Sequence, residues 1–164
     1  YMPLEKGISE SSGMKVFSFE YPDLKDYDIY DNLYSALERA CEFSVKFIKK
    51  YSKKFDYFYV HIKETDIPGH DNRVFDKRKM IEILDKIFFS FLRENCEKNK
   101  ANIIVTADHA TPCNLKNHSS DPVPVLVCDW SKKGKVEFSE NSAKNGELGS
   151  FRSKELLKIA GFMK

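Results

Sequence analysis

Apolar residues return every three or four positions from Leu33 through Leu37, Ala40, Cys41, Phe47 and Ile48 to Tyr51. That spacing predicts an amphipathic helix of about five turns with Asp31 as its N-cap. The period then changes. FDYFYVHI, residues 55–62, is dense in aromatic and β-branched side chains and predicts a buried strand, and MKVFSF at 14–19 predicts a shorter one. A second helical period runs from Met80 through Ile81, Leu84, Ile87, Phe88 and Phe91 to Leu92, with Asp76 near its start. ANIIVTA (101–107) and VPVLVC (123–128) are short apolar runs bounded by polar loops and predict two further strands. A short helix is expected from Ser153 to Ala160, stopped by Gly161. Residues 20–30 and 139–150 read as loops. Strands alternating with helices predict an α/β fold with a largely parallel sheet and helices packed on it.

Length and charge narrow the function classes. At 164 residues the chain suits one domain with a real core, read as a single unit over 1–164. No segment approaches the roughly 18–20 apolar residues of a membrane span. The net charge is only +2 and the lysines are scattered among acids, which argues against a nucleic-acid binder. The densest run, Lys49 to Lys54, falls at the end of the first long helix, where cations suit the dipole. Cys41, Cys96, Cys113 and Cys128 are widely spaced with no C-x-x-C pair, and no signal peptide is expected ahead of them. Reduced thiols in a cytoplasmic protein are expected, with Cys113 a bystander to the chemistry beside it.

That chemistry lies in the loops that follow the strands. Ligands in open α/β sheets bind beyond the carboxyl ends of strands, where loops converge. Asp66 and His70 follow FDYFYVHI, Asp108 and His109 follow ANIIVT, and His118 lies in the loop that feeds VPVLVC. Pro68 and Gly69 make the first of these loops tight enough to turn Asp66 and His70 inward together. His61, inside the predicted strand, reads as structural. Imidazole mixed with carboxylate selects a borderline cation such as zinc or manganese rather than calcium, which prefers oxygen ligands alone.

VHIKETDIPGHDN, RKMIEILDKI, IIVTADHATPCNLKNHSSDPVPVLV and NGELGSFRSKELLKIAGF together carry a resemblance. The spacing D-x-x-G-H, then T-A-D-H, then H-x-x-x-P-V-P resembles the C-terminal part of the archaeal-type cofactor-independent phosphoglycerate mutases, members of the alkaline phosphatase superfamily. The resemblance implies an α/β/α sandwich holding two divalent metal ions, manganese or zinc with magnesium and cobalt as alternatives. It also implies interconversion of 2- and 3-phosphoglycerate through a phosphoserine, a step of glycolysis and gluconeogenesis. Carried onto this sequence, it makes Asp66, His70 and His118 ligands of one metal and Asp108 and His109 ligands of the second. Separately, Lys63, one residue beyond the predicted strand and three before Asp66, is a candidate contact to a phosphoryl or carboxylate oxygen of substrate. The family's nucleophilic serine and a further aspartate ligand belong to a segment upstream of everything matched. Thr65, Thr106, Thr111, Ser119 and Ser120 lie near the ligands, but none holds the nucleophile position. The family's PGATG is EYPDL here, at 20–24.

These features predict the C-terminal segment of a metal-binding phosphatase-like domain without its nucleophile segment and insert domain. Such a chain is expected to be inactive alone and to self-associate through its truncated face. The alternatives are another enzyme of the superfamily (a phosphatase, phosphopentomutase or phosphonoacetate hydrolase) or a non-catalytic metal-binding module.

Overall fold

A computed structural model describes residues 3–21, 29–99, 101–128, 134 and 136–163, with backbone only at 97–99. Most of the ordered structure is helical. Helix α1, Pro3–Ser11, buries none of its residues. Helix α2, Ile29–Tyr51, is the long amphipathic helix of the sequence pattern, and it places Tyr34, Leu37, Ala40 and Cys41 in the interior. It begins two residues before Asp31, so that carboxylate lies in the first turn, favourable to the helix dipole, instead of at the cap. Lys49 and Lys50 occupy its last turn as expected.

The second helical period folds as α4, Val74–Leu84, a π-helical turn, Asp85–Phe89, and α5, Ser90–Asn99. Met80 and Phe88 from this run join Tyr30, Tyr34, Leu37 and Cys41 in one core cluster, with Leu37, Cys41 and Met80 wholly buried. The wider π turn carries the apolar face onward to Phe88 and Phe91. Ile81, expected on that face, is 52% exposed instead, because the face centred on Met80 turns it towards solvent. Two phenols fasten α2 to α4 and to the turn before it: Tyr34 donates to Asp76 Oδ1, and Tyr30 donates to Asp71 Oδ2 at 2.6 Å. Burial and the bond to Asp76 push the Tyr34 phenol up to about 12.

The sheet departs from expectation. Among the described residues it has two strands, β1 (Ile103–Val105) and β2 (Leu126–Cys128), and they pair antiparallel in the register Ile103 with Cys128 and Val105 with Leu126. A parallel pair needs a crossover of a dozen or more residues, usually helical, whereas the connection 106–125 shows no helical period and simply returns the chain. FDYFYVHI and MKVFSF form no strand and have no ladder partner among the described residues. High β propensity describes a fit to a pleated surface and cannot supply the neighbouring strand. Tyr57 and Tyr59 are consequently 47% and 57% exposed, while Ile62 still packs against the core.

At the C-terminus the expected helix forms as a 3-10 turn, Ser153–Glu155, followed by α7, Leu156–Ile159. Gly161 ends it at φ +74°, the left-handed conformation that favours glycine at this position. The expected loop at 139–150 holds one helical turn, α6 (Glu140–Ala143), capped by the Ser139 side chain. Of the loop expected at 20–30, residues 22–28 lie outside the described residues, including most of EYPDL. All four cysteines are free thiols. No helix among the described residues is long and apolar enough to cross a membrane.

Candidate metal centre

The tight loop after residue 63 closes into a single helical turn, α3, Ile67–His70, with proline in its first turn. Proline suits that position because the amide it lacks would have no helical partner there. The Asp66 carbonyl accepts from the amides of Gly69 and His70 at 2.9 and 3.2 Å. Residues four apart share a helix face, and His70 Nε2 accordingly stands 3.4 Å from Asp66 Oδ1. Gly69 is required for packing. A Cβ there would lie 2.6 Å from the Thr111 carbonyl oxygen and 2.9 Å from its methyl. Gly69→Ala is therefore expected to lower stability by about 1–3 kcal/mol in urea denaturation, as overpacking does elsewhere. An unchanged midpoint would mean that the loop carrying Thr111 yields freely.

The loop after β1 folds back to bring two more histidines over α3. The Ser119 amide donates to the Ala110 carbonyl at 3.0 Å in an antiparallel bridge, and between them a turn closes from Lys116 N to Pro112 O at 3.1 Å. Lys116 completes that turn with φ +53°, uncommon for a residue with a Cβ. The bridge stacks His109 on His118 with ring centroids 3.7 Å apart. It also sets His118 Nε2 3.7 Å from Asp66 Oδ1 and 3.2 Å from His70 Nε2.

Hydrogen bonds behind the trio orient it. His70 Nδ1 lies 3.2 Å from the Lys116 carbonyl, which can only accept, so Nδ1 carries a proton and Nε2 is left facing the trio. The Thr111 hydroxyl donates to Asp66 Oδ1 at 2.6 Å. Burial alone would raise the Asp66 carboxyl. The bond from Thr111 and the imidazoles of His70, His109 and His118 outweigh burial and hold it below the usual carboxylate range. Asp66 is thus a pre-formed anion facing two imidazole nitrogens.

Such a donor set fits a divalent ion. A tetrahedral ion bonded at roughly 2.0–2.1 Å sets its ligand atoms about 3.3–3.4 Å apart, and the triangle here has edges of 3.2, 3.4 and 3.7 Å. Among the described residues this is the one group of three or more potential metal-binding side chains whose donor atoms lie within 4.8 Å of one another.

The other residues singled out in the sequence lie around it. Asp108 Oδ2 is 3.5 Å from His109 Nε2, and the pair adjoins the trio through the His109–His118 stack without entering it. Lys63 is exposed, three residues ahead of Asp66. His61 pairs with the Tyr59 hydroxyl at 3.2 Å, away from the trio's contacts. Sequence reasoning missed three supports: the Lys116 carbonyl, the Thr111 hydroxyl, and Lys77, whose Nζ donates to the Thr111 carbonyl at 2.7 Å. Only Thr111, two residues after His109, carried a signal, as a polar side chain inside the ligand loop.

Comparison with known proteins agrees with this chemistry. The chain is 34% identical over 160 residues, 96% of its length, to a 2,3-bisphosphoglycerate-independent phosphoglycerate mutase of Picrophilus torridus. It is 37% identical over 109 residues, 65% of its length, to one from Pyrococcus abyssi. These alignments cover 36% and 26% of the two relatives, so the chain spans about a third of their length or less. A solved structure of the PH0037 protein from Pyrococcus horikoshii superposes on 98% of this chain and 47% of its own with a TM-score of 0.73 at 27% identity. The resemblance read from the histidine and aspartate motifs thus extends along almost the whole chain. With the sequence pattern of the metalloenzyme superfamily matching residues 21–161, the chain belongs to that superfamily.

Proposed function

We propose that this chain supplies most of the metal ligands of a phosphoglycerate mutase, which interconverts 2- and 3-phosphoglycerate through a phosphoserine. The donor triangle of Asp66, His70 and His118 carries the reading. Relatives named phosphoglycerate mutases support the substrate class. In this reading the trio holds one divalent ion, manganese or zinc, and Asp108 and His109 contribute to a second. Bound ions would supply positive charge that eases deprotonation of a hydroxyl and balances charge on a transferring phosphoryl group. The residues present here do the positioning. Asp66 stays ionised, His70 keeps its Nε2 facing inward through the Lys116 carbonyl, and the His109–His118 stack holds the loop after β1 in register. Lys63, exposed at the approach to Asp66, offers its ammonium to a phosphoryl or carboxylate oxygen. The strands that pair with 55–62 to complete an α/β/α sandwich are assigned to the part of the relatives that this chain does not span. A cytoplasmic location follows from the proposed glycolytic role.

A chimera tests the proposal: residues 21–161 replace the matching part of the Picrophilus torridus enzyme, and 2-phosphoglycerate formation is followed by coupling to enolase. Metal-dependent turnover that disappears with Asp66→Ala supports the reading. A folded, metal-binding chimera that only hydrolyses aryl phosphates would replace mutase by phosphatase. In an active chimera, Lys63→Met should lower kcat/KM about 10- to 100-fold, the loss of one charge-assisted contact of about 1.5–3 kcal/mol. Undiminished kcat/KM would return Lys63 to solvent.

A further inference from the structure

We propose that Thr111 is a positioning residue whose single hydroxyl fixes both the Asp66 carboxylate and the tautomer of His109, tying the Asp66–His70–His118 trio to the Asp108–His109 pair. The inference builds on the metal reading above, and its first test does not depend on that reading. Thr111 is buried at 5% exposure and cannot easily turn. Its carbonyl takes the Lys77 ammonium at 2.7 Å, and its methyl packs against Gly69, where even a hypothetical Cβ would come within 2.9 Å. With the methyl of this β-branched side chain seated against Gly69, the rotamer aims Oγ1 at Asp66.

The hydroxyl has one proton to give. At 2.6 Å from Asp66 Oδ1 that proton goes to the carboxylate, which can only accept. The contact to His109 Nδ1, at 3.1 Å, must then be met by a Thr111 lone pair. His109 therefore carries a proton on Nδ1, and its Nε2 faces Asp108 Oδ2, 3.5 Å away. That separation matches the spacing of two ligand atoms on one ion, about 3.3–3.4 Å for tetrahedral coordination. The chain of donors runs one way, from His109 through Thr111 to Asp66. Losing the hydroxyl would loosen one ligand of the trio and release the tautomer of the ring beside it.

Nitrogen-15 correlation spectra of the imidazoles in metal-free protein read the first half directly. Wild type should show a proton on His109 Nδ1, and a ring protonated on Nε2 alone would overturn the wiring. Thr111→Val keeps the methyl packing and removes the hydroxyl; Thr111→Ser keeps the hydroxyl. The valine variant should lose the Nδ1–H preference and bind zinc or manganese roughly 10–100-fold more weakly by calorimetry, as loss of a partner behind a ligand does, while serine restores both. A folded valine variant with wild-type tautomer and affinity would overturn the proposal. If valine unfolds, the wild-type tautomer and the serine variant decide it. If wild type takes no metal, the metal reading fails, and the spectra still decide the role of Thr111.

Discussion

Titration with zinc or manganese should reveal about one tight site in this chain, and His70→Ala combined with His118→Ala should abolish it. Among the described residues only the trio presents three inward donors at coordinating separations, and three protein ligands leave an open position, as catalytic zinc sites do. Removing both imidazoles leaves Asp66 as a lone carboxylate that keeps its bond from Thr111. The cost must exceed what supporting residues are worth. Loss of a hydrogen-bond partner behind a ligand typically weakens binding by roughly 10–100-fold, so deleting two ligands outright should take the site below detection by calorimetry. Both histidines are partly exposed, at 38% and 50%, so the double variant should melt close to wild type in the absence of metal. Undiminished binding in a folded double variant would remove the trio from the metal reading altogether.

The parts of this site that the sequence made legible are those set by local geometry. Asp66 and His70 are four apart with Pro68 and Gly69 between them, and one helical turn is the direct outcome of that spacing. Likewise the apolar period from Leu33 to Tyr51 needs only its own face to be buried, and α2 covers it. What escaped depends on partners distant in the chain. Ile81 follows the same apolar pattern as Met80, yet which of them faces α2 is decided by tertiary packing, and only Met80 is buried. The strand at 55–62 needs a neighbour to become a ladder, and no property of its own residues provides one. Glu64 sits in a polar loop segment, but it is 6% exposed because the Tyr21 phenol reaches across to donate to it. The Lys116 carbonyl that orients His70 belongs to the backbone and has no side-chain signature at all.

The chain on its own, even loaded with metal, should show no phosphoglycerate interconversion. A phosphoserine route needs a free hydroxyl facing the metal ions, and three of the hydroxyls near the trio are committed elsewhere. Thr111 donates to Asp66, and Ser119 donates to Asp121 Oδ2 at 2.7 Å. Thr106 turns back to the neighbouring Ala107 carbonyl at 3.4 Å. The second metal fares no better, since Asp108 and His109 contribute two donors and no third joins them among the described residues. Catalytic groups that act as a unit lose nearly everything when one member is missing, so an intermediate rate is not expected. The same chain exposes Tyr57, Phe58, Tyr59 and Val60 along a segment without a ladder partner among the described residues, an apolar surface that favours self-association. An enolase-coupled assay on metal-replete protein, run beside size-exclusion chromatography, addresses both expectations. Background-level turnover with a concentration-dependent shift to larger species is the expected pair of results. A sustained rate of 2-phosphoglycerate formation that vanishes in Asp108→Ala would place the nucleophile within these 164 residues and reopen the search among the hydroxyls around Asp66.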